Sequence, residues 1–178
     1  SSELDLRKQN DVESYLEKHK PDYIFNCAGK VGGIKANNNY KADFLYDNLA
    51  IQLNLIHGAY KNKIYNLMNF GSSCIYPKEC NQPMKEEYLL NGELEETNEG
   101  YAIAKIAGIK MCEKYNHQYN CSFMNVLPTN LYGPNDNYDL EDSHVLPALI
   151  HKTYLAKKNN EAFLSLWGTG EAKREFMH

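Results

Sequence analysis

Tyr101 and Lys105 stand four residues apart, as Tyr101-Ala102-Ile103-Ala104-Lys105, in a stretch that reads as helix. At that spacing two side chains lie nearly one above the other on the same face. An ammonium beside a phenol favours the tyrosinate, so Lys105 is expected to bring the Tyr101 pKa below its usual value near 10. A tyrosine so tuned can give its proton to a carbonyl that is being reduced. The spacing alone is weak evidence in a chain with 14 tyrosines, and Tyr154 with Lys158 repeats it. A second group strengthens it. Ser72-Ser73-Cys74 follows an apolar run, where a hydroxyl can hydrogen-bond a substrate carbonyl and a thiol can move protons. The plain alternative is a turn whose serines bond nearby backbone. His144 follows an Asp- and Asn-rich loop and opens a helix; a solvated or capping histidine is the plain alternative there. Arg174 lies beyond Gly168-Thr169-Gly170. Most lone arginines are surface charges, although the guanidinium fork would suit a diphosphate.

These groups need elements to position them. A helix is expected over 10–18, opened by a capping box of Asn10 and Glu13 and closed before Pro21. An apolar strand follows over 23–28, then one long helix over about 38–61 with Phe44, Leu45, Leu49, Ile51, Leu55 and Ile56 at helical spacings. A strand is expected over 67–71 and a helix from Thr97 or Asn98 to about Tyr119. That helix carries Ile103, Ile106, Ala107, Ile109 and Met111 on its apolar side. Then come a strand over 123–127, a helix over 143–157 with Pro147 in its first turn, and a strand over 163–167. Strands separated by helices of this length predict an α/β fold: a Rossmann-like, doubly wound parallel sheet with helices on both faces. In such sheets the ligand crevice lies at the C-terminal strand ends. Segments 71–77, 128–134 and 167–170 fall there.

The 178 residues suit one domain, and aromatics at 12% argue against disorder. The net charge of −4 offers no basic field for nucleic acid, and no apolar run reaches membrane-spanning length. No signal peptide is expected from the N-terminal residues. The five cysteines (27, 74, 80, 112 and 121) are odd in number and form no C-x-x-C pair, so free thiols in a reducing, cytoplasmic setting are expected, with no metal site. The bland role for each is a small buried hydrophobe.

The serine, then Tyr-x-x-x-Lys on the next helix, resembles the extended, nucleotide-sugar-modifying branch of the short-chain dehydrogenase/reductase superfamily. Within that branch the segments 28–38, Gly71-Ser72-Ser73-Cys74-Ile75-Tyr76-Pro77, 101–110, Pro128-Thr129-Asn130-Leu131-Tyr132-Gly133-Pro134 and Arg174-Glu175-Phe176 are similar to the GDP-L-fucose synthase family. The resemblance implies 3,5-epimerisation and NADPH-dependent 4-keto reduction of a GDP-4-keto-6-deoxy sugar. It implies a reductive triad of Ser72, Tyr101 and Lys105, and a proton-exchanging pair of Cys74 and His144. NADP(H) contacts would come from Asp5, Leu6, Gly71, Ser72, Ser73, Tyr101, Lys105, Pro128, Thr129, Asn130, Leu131 and His144. Substrate contacts would come from Lys152, Trp167 and Arg174, with Lys152 standing where the family often has arginine and so lacking its fork. Gly100 stands where a proline often precedes the tyrosine. A homodimer is implied, built on the helices around 38–61 and 101–119. The glycine-rich G-x-x-G-x-x-G unit is absent, so the chain is expected to be a partial NADP-binding domain, with the start of a substrate lobe at about 135–178, and inactive by itself. A sister nucleotide-sugar epimerase or dehydratase and a non-catalytic dinucleotide-binding homologue are the alternatives. The Thr-Asp-Glu typical of the dehydratases is Ser72-Ser73-Cys74 here.

Overall fold

The computed structural model describes residues 3–140, 143–166, 168–171 and 173–178. Its elements run α1 (Gln9–His19), β1 (Ile24–Asn26), α2 (Ile34–Asn39), α3 (Lys41–Lys61), β2 (Asn66–Phe70), α4 (Glu99–Tyr119), β3 (Ser122–Val126), β4 (Asn130–Leu131), α5 (Val145–Lys158) and β5 (Phe176–Met177). Single-turn 3₁₀ segments occur at Ser73–Ile75 and Glu86–Tyr88.

Strands β1, β2 and β3 form a parallel sheet in that order, with Ile24 beside Leu67 and Leu67 beside Phe123. Parallel neighbours need long crossovers, and α3 and α4 supply them. Leu67 and Phe123 share one core with Val12 and Leu16 of α1, Leu55, Ile56 and Ala59 of α3, and Cys112 of α4, with Ile24 packed against it. The alternate residues Phe25 and Met124 point to the other side of the pleat and are 64% and 56% exposed. The expected Rossmann-like parallel α/β class is therefore the class observed.

Several local expectations are corrected. Asn10 does not cap α1: the N-cap is Lys8, without a side-chain bond, and Glu13 instead accepts from Gln9 Nε2 at 2.8 Å and pairs with Lys61 at 2.7 Å. The single helix over 38–61 is two, broken at Tyr40. Asn37 ties α2 back to its own start, its Nδ2 bonding the carbonyls of Gly32 and Gly33 at 2.8 and 3.1 Å. Ile103 is exposed rather than part of the α4 apolar face. The face toward α3 carries Gly100, Ala104, Gly108 and Cys112, and these small residues let the two helices approach. A Cβ on Gly100 would meet Lys41 O at 2.9 Å, so glycine here permits the contact that a larger residue would open. Residues 163–166 form no strand. A strand exists only by pairing, and it is Phe176–Met177 that pairs with Asn130–Leu131. Among the described residues no helix is long and apolar enough to cross a membrane.

Candidate active site

The site is assembled from two chain segments locked together. After β2 the backbone of Ser72 is extended and the 3₁₀ turn Ser73–Ile75 begins. The side chain of Ile75 is buried between Ile106 and Ile109 of α4. Burying it contributes about 1.5–3 kcal/mol, a good part of what ordering a three-residue turn costs at about 1–2 kcal/mol per residue. Gly71 N bonds Val126 O at 2.8 Å, which ties the β2 exit to β3. The turn carrying Ser72 and Cys74 is thereby clamped to the helix carrying Tyr101 and Lys105.

Ser72 lies within hydrogen-bonding reach of both the Tyr101 phenol and the Cys74 thiol. Lys105 is 4% exposed, and its Nζ donates to Phe70 O at 2.7 Å and sits 5.7 Å from the Tyr101 ring centroid. The four residues expected to act together are together. Their electrostatics differ from expectation. Tyr101 is pushed up to about 12, not down: burial is the main cause, the nearby Cys74 adds to it, and the Ser72 hydrogen bond opposes it. The Lys105 ammonium bonds the β2 backbone. Burial also lowers the Lys105 pKa, against the opposing pull of Cys74 and Cys27. Burial raises the Cys74 thiol, while Ser72 and Lys105 draw it down. At neutral pH Tyr101 and Cys74 are both held as neutral acids.

The loop after β1 closes the other side. Asn48 of α3 is buried, accepts from Lys30 N at 2.9 Å and donates to Lys30 O at 3.0 Å. A Cβ on Gly29 would come within 3.0 Å of Asn48 Oδ1 and 3.8 Å of Lys105 Nζ, so glycine lets the loop backbone lie close to the ammonium. Sequence reasoning missed Asn48; its signal was a polar residue interrupting the apolar stripe of α3. Asp5 is held to about 2 by hydrogen bonds from Arg7, whose guanidinium and backbone engage both carboxylate oxygens. Leu6 O accepts from Asn54 Nδ2 at 3.0 Å. A chain of ion pairs, Asp5–Arg7–Asp47–Lys30, connects this segment to the β1 loop.

The remaining candidates stand apart. Asn130 N bonds Glu175 O at 3.2 Å and Tyr132 N bonds Met177 O at 3.1 Å, so 128–132 and the Arg174 segment are joined by the β4–β5 pair. Pro128 is half-buried, Thr129 to Leu131 are less covered, and Arg174 is exposed with Nη1 on Lys173 O at 2.9 Å. His144 is the exposed N-cap residue of α5, and among the described residues no hydrogen bond or ring contact joins its ring to Cys74. Lys152 lies half-buried on α5, and Trp167 is outside the described residues.

A dinucleotide fits what is present. Lys105 spends one of its three N–H donors on Phe70 O and keeps two beside the Gly29 loop, which suits the hydroxyls of a ribose.

Comparison with known proteins agrees with the fold. The chain is 51% identical over 175 residues to a GDP-L-fucose synthase of Sinorhizobium fredii, covering 98% of this chain and 56% of the relative. It is 54% identical over 177 residues to GDP-L-fucose synthase 1 of Arabidopsis thaliana, covering 99% and 55%. The crystal structure of a GDP-L-fucose synthetase from Naegleria fowleri bound to NADP matches with a TM-score of 0.87 at 33% identity, covering 99% of this chain and 58% of that one. The chain thus spans about half the length of the curated relatives it matches. The pattern of the NAD dependent epimerase/dehydratase family covers residues 2–178, and with Ser72, Tyr101 and Lys105 gathered at the end of β2 the chain belongs to that family.

Proposed function

We propose that the protein to which this chain belongs is an NADPH-dependent epimerase-reductase that converts GDP-4-keto-6-deoxy-D-mannose into GDP-L-fucose. The observation that carries this is the Ser72 hydroxyl placed between Tyr101 and Cys74, with the buried Lys105 behind them. It brings a hydroxyl pair suited to reduction and a thiol suited to proton exchange side by side. Relatives named GDP-L-fucose synthase at about half identity support the substrate.

A 4-keto group acidifies the hydrogens on C3 and C5. Inversion at each carbon needs a proton removed on one face and returned on the other. Cys74 is one proton carrier, and His144 is proposed as the other, reached when α5 is brought over the sugar. Ser72 and Tyr101 donate hydrogen bonds to the C4 oxygen and stabilise the enolate that deprotonation leaves there. NADPH held there would supply the hydride that reduces C4. Tyr101 gives its proton to the C4 oxygen as the carbonyl is reduced, and the neighbouring Lys105 would hold the ribose. Gly71 to Ser73, Pro128 to Leu131, Asp5 and Leu6 complete the NADP(H) site in this reading. Residues 135–178 begin the substrate lobe, where Arg174, Lys152 and Trp167 face the GDP moiety. The protein is cytoplasmic and a homodimer, paired through the outer faces of α3 and α4, where Tyr46, Leu53 and Ile103 are exposed.

The test is to incubate the full-length protein with NADPH and GDP-4-keto-6-deoxymannose, follow the ultraviolet absorbance of the reduced nicotinamide, and identify the product. Formation of GDP-L-fucose is expected. An oxidised cofactor with an unepimerised product would remove the epimerase half of the reading, and no oxidation would remove it all.

A further inference from the structure

Three successive strands carry an asparagine at one register: Asn26 beside Asn69, and Asn69 beside Asn125. Asn26 is 2% exposed and Asn69 0%. Buried positions of parallel strands are ordinarily Val, Ile or Leu, and a buried amide is costly unless it is hydrogen-bonded. These amides are bonded in a row. Asn26 Nδ2 donates to Asn69 Oδ1 at 3.0 Å, Asn69 Nδ2 to Asn125 Oδ1 at 3.2 Å, and Asn125 Nδ2 to Ile109 O at 3.3 Å. A backbone carbonyl only accepts, so Ile109 O sets the orientation of every amide before it. Asn26 Oδ1 is left as the unbonded end of the row.

On β2 the row lies one residue before Phe70, and both of its attachments concern Lys105. Phe70, the residue after Asn69, accepts the Lys105 ammonium at 2.7 Å through its carbonyl. Ile109, bonded to Asn125, lies one turn beyond Lys105 on α4. The acceptor of the ammonium and the next turn of its helix are thus tied to one rigid row. We propose that Asn26, Asn69 and Asn125 form an amide relay that sets the distance between the β2–β3 edge and α4 and so positions Lys105 for reduction. They are positioning residues and touch no reacting atom. The inference rests on the reductase reading above, and it goes beyond that reading by naming what holds its lysine in place. If the row were only a way of filling the sheet interior, an apolar row would serve equally well.

The experiment compares wild type, Asn125→Asp and the triple variant N26L/N69L/N125L in the full-length protein. The single substitution is isosteric but sets a carboxylate oxygen against Ile109 O, with no donor left. The triple variant removes all the amide partners at once, so no new orphan is created among them and stability should change little. Steady-state reduction of GDP-4-keto-6-deoxymannose gives kcat and KM. The Lys105 ε-carbon resonance, observed with isotope-labelled lysine and assigned by its absence in Lys105→Arg, gives its titration without turnover. In both variants kcat should fall about 10- to 100-fold, as for a small misplacement of a reacting group, while KM stays within about twofold. The Lys105 titration should shift as its neighbours Phe70, Cys74 and Cys27 move. A folded triple variant with wild-type kcat and wild-type Lys105 titration overturns the relay. If the triple variant does not fold, the same result in Asn125→Asp overturns it. If wild type reduces no keto sugar, the reductase reading fails, and the Lys105 titration alone decides the relay.

Discussion

Gly108→Ala should destabilise the protein, although the same change in most helices stabilises. Gly108 faces Gln52 where α4 crosses α3, and an added Cβ would land on the Gln52 carboxamide. Gln52 is 2% exposed and has no room to yield in place, since its Nε2 is held by Ala104 O at 2.7 Å and Asn48 O at 3.2 Å. Alanine would gain about 1 kcal/mol of helix propensity. Against that, displacing Gln52 breaks two buried hydrogen bonds worth about 0.5–1.5 kcal/mol each. The crowding itself costs about 1–3 kcal/mol. The net loss is about 3 kcal/mol, the sum of these ranges taken near their centres. Denaturant midpoints of the full-length protein, read with Gln52→Ala and the double variant, separate the causes. Truncating Gln52 empties the space the new methyl needs, so the double variant should recover about 2 kcal/mol relative to additivity. A Gly108→Ala protein more stable than wild type, or a cycle with no coupling, would refute the reasoning. Activity should fall with stability at Gly108→Ala, because α4 carries Tyr101 and Lys105.

Tyr101→Phe should abolish reduction and leave NADPH binding intact, since only the hydroxyl is removed; equal loss of binding, measured by cofactor fluorescence, would contradict the separate roles given to Tyr101 and Lys105. Cys74→Ser should collapse solvent deuterium exchange into C3 and C5 of the keto sugar, and exchange at the wild-type rate would exclude Cys74 as proton carrier. Stability should fall at alkaline pH through Tyr101. Its folded pKa, about 12, lies above the unfolded value near 10, so the unfolded chain ionises first, and the loss sets in above pH 10 and is complete by about pH 12. Tyr101→Phe should lose about 2 kcal/mol less than wild type between those limits, read from urea midpoints; parallel loss in both proteins would refute it.

The residue types and spacings determined the fold class and the members of the reductive cluster. Helical periodicity placed α3 and α4 to within a few residues, and Tyr101 with Lys105 on one helix face follows from the geometry of any α-helix. The Ser72–Cys74 turn at a strand end was legible for the same local reason, a short apolar run closed by Gly71. Position along the chain did not extend to electrostatics or to non-local pairing. The downward shift expected of a tyrosine beside a lysine is reversed here because burial dominates at Tyr101, and Lys105 bonds the carbonyl of Phe70, 35 residues away in sequence. The strand expected at 163–167 gave way to one at 176–177, because a strand is defined by its partner rather than by its own side chains. The asparagines 26, 69 and 125 are unremarked polar residues in three separate apolar runs until the sheet sets them at one register. Only then do their amides meet, and only the carbonyl of Ile109 decides which way each one points. Periodicity is a property of neighbouring residues, and the sequence carries it directly. Burial, register and hydrogen-bond direction belong to residues far apart in the chain, and only packing brings them together.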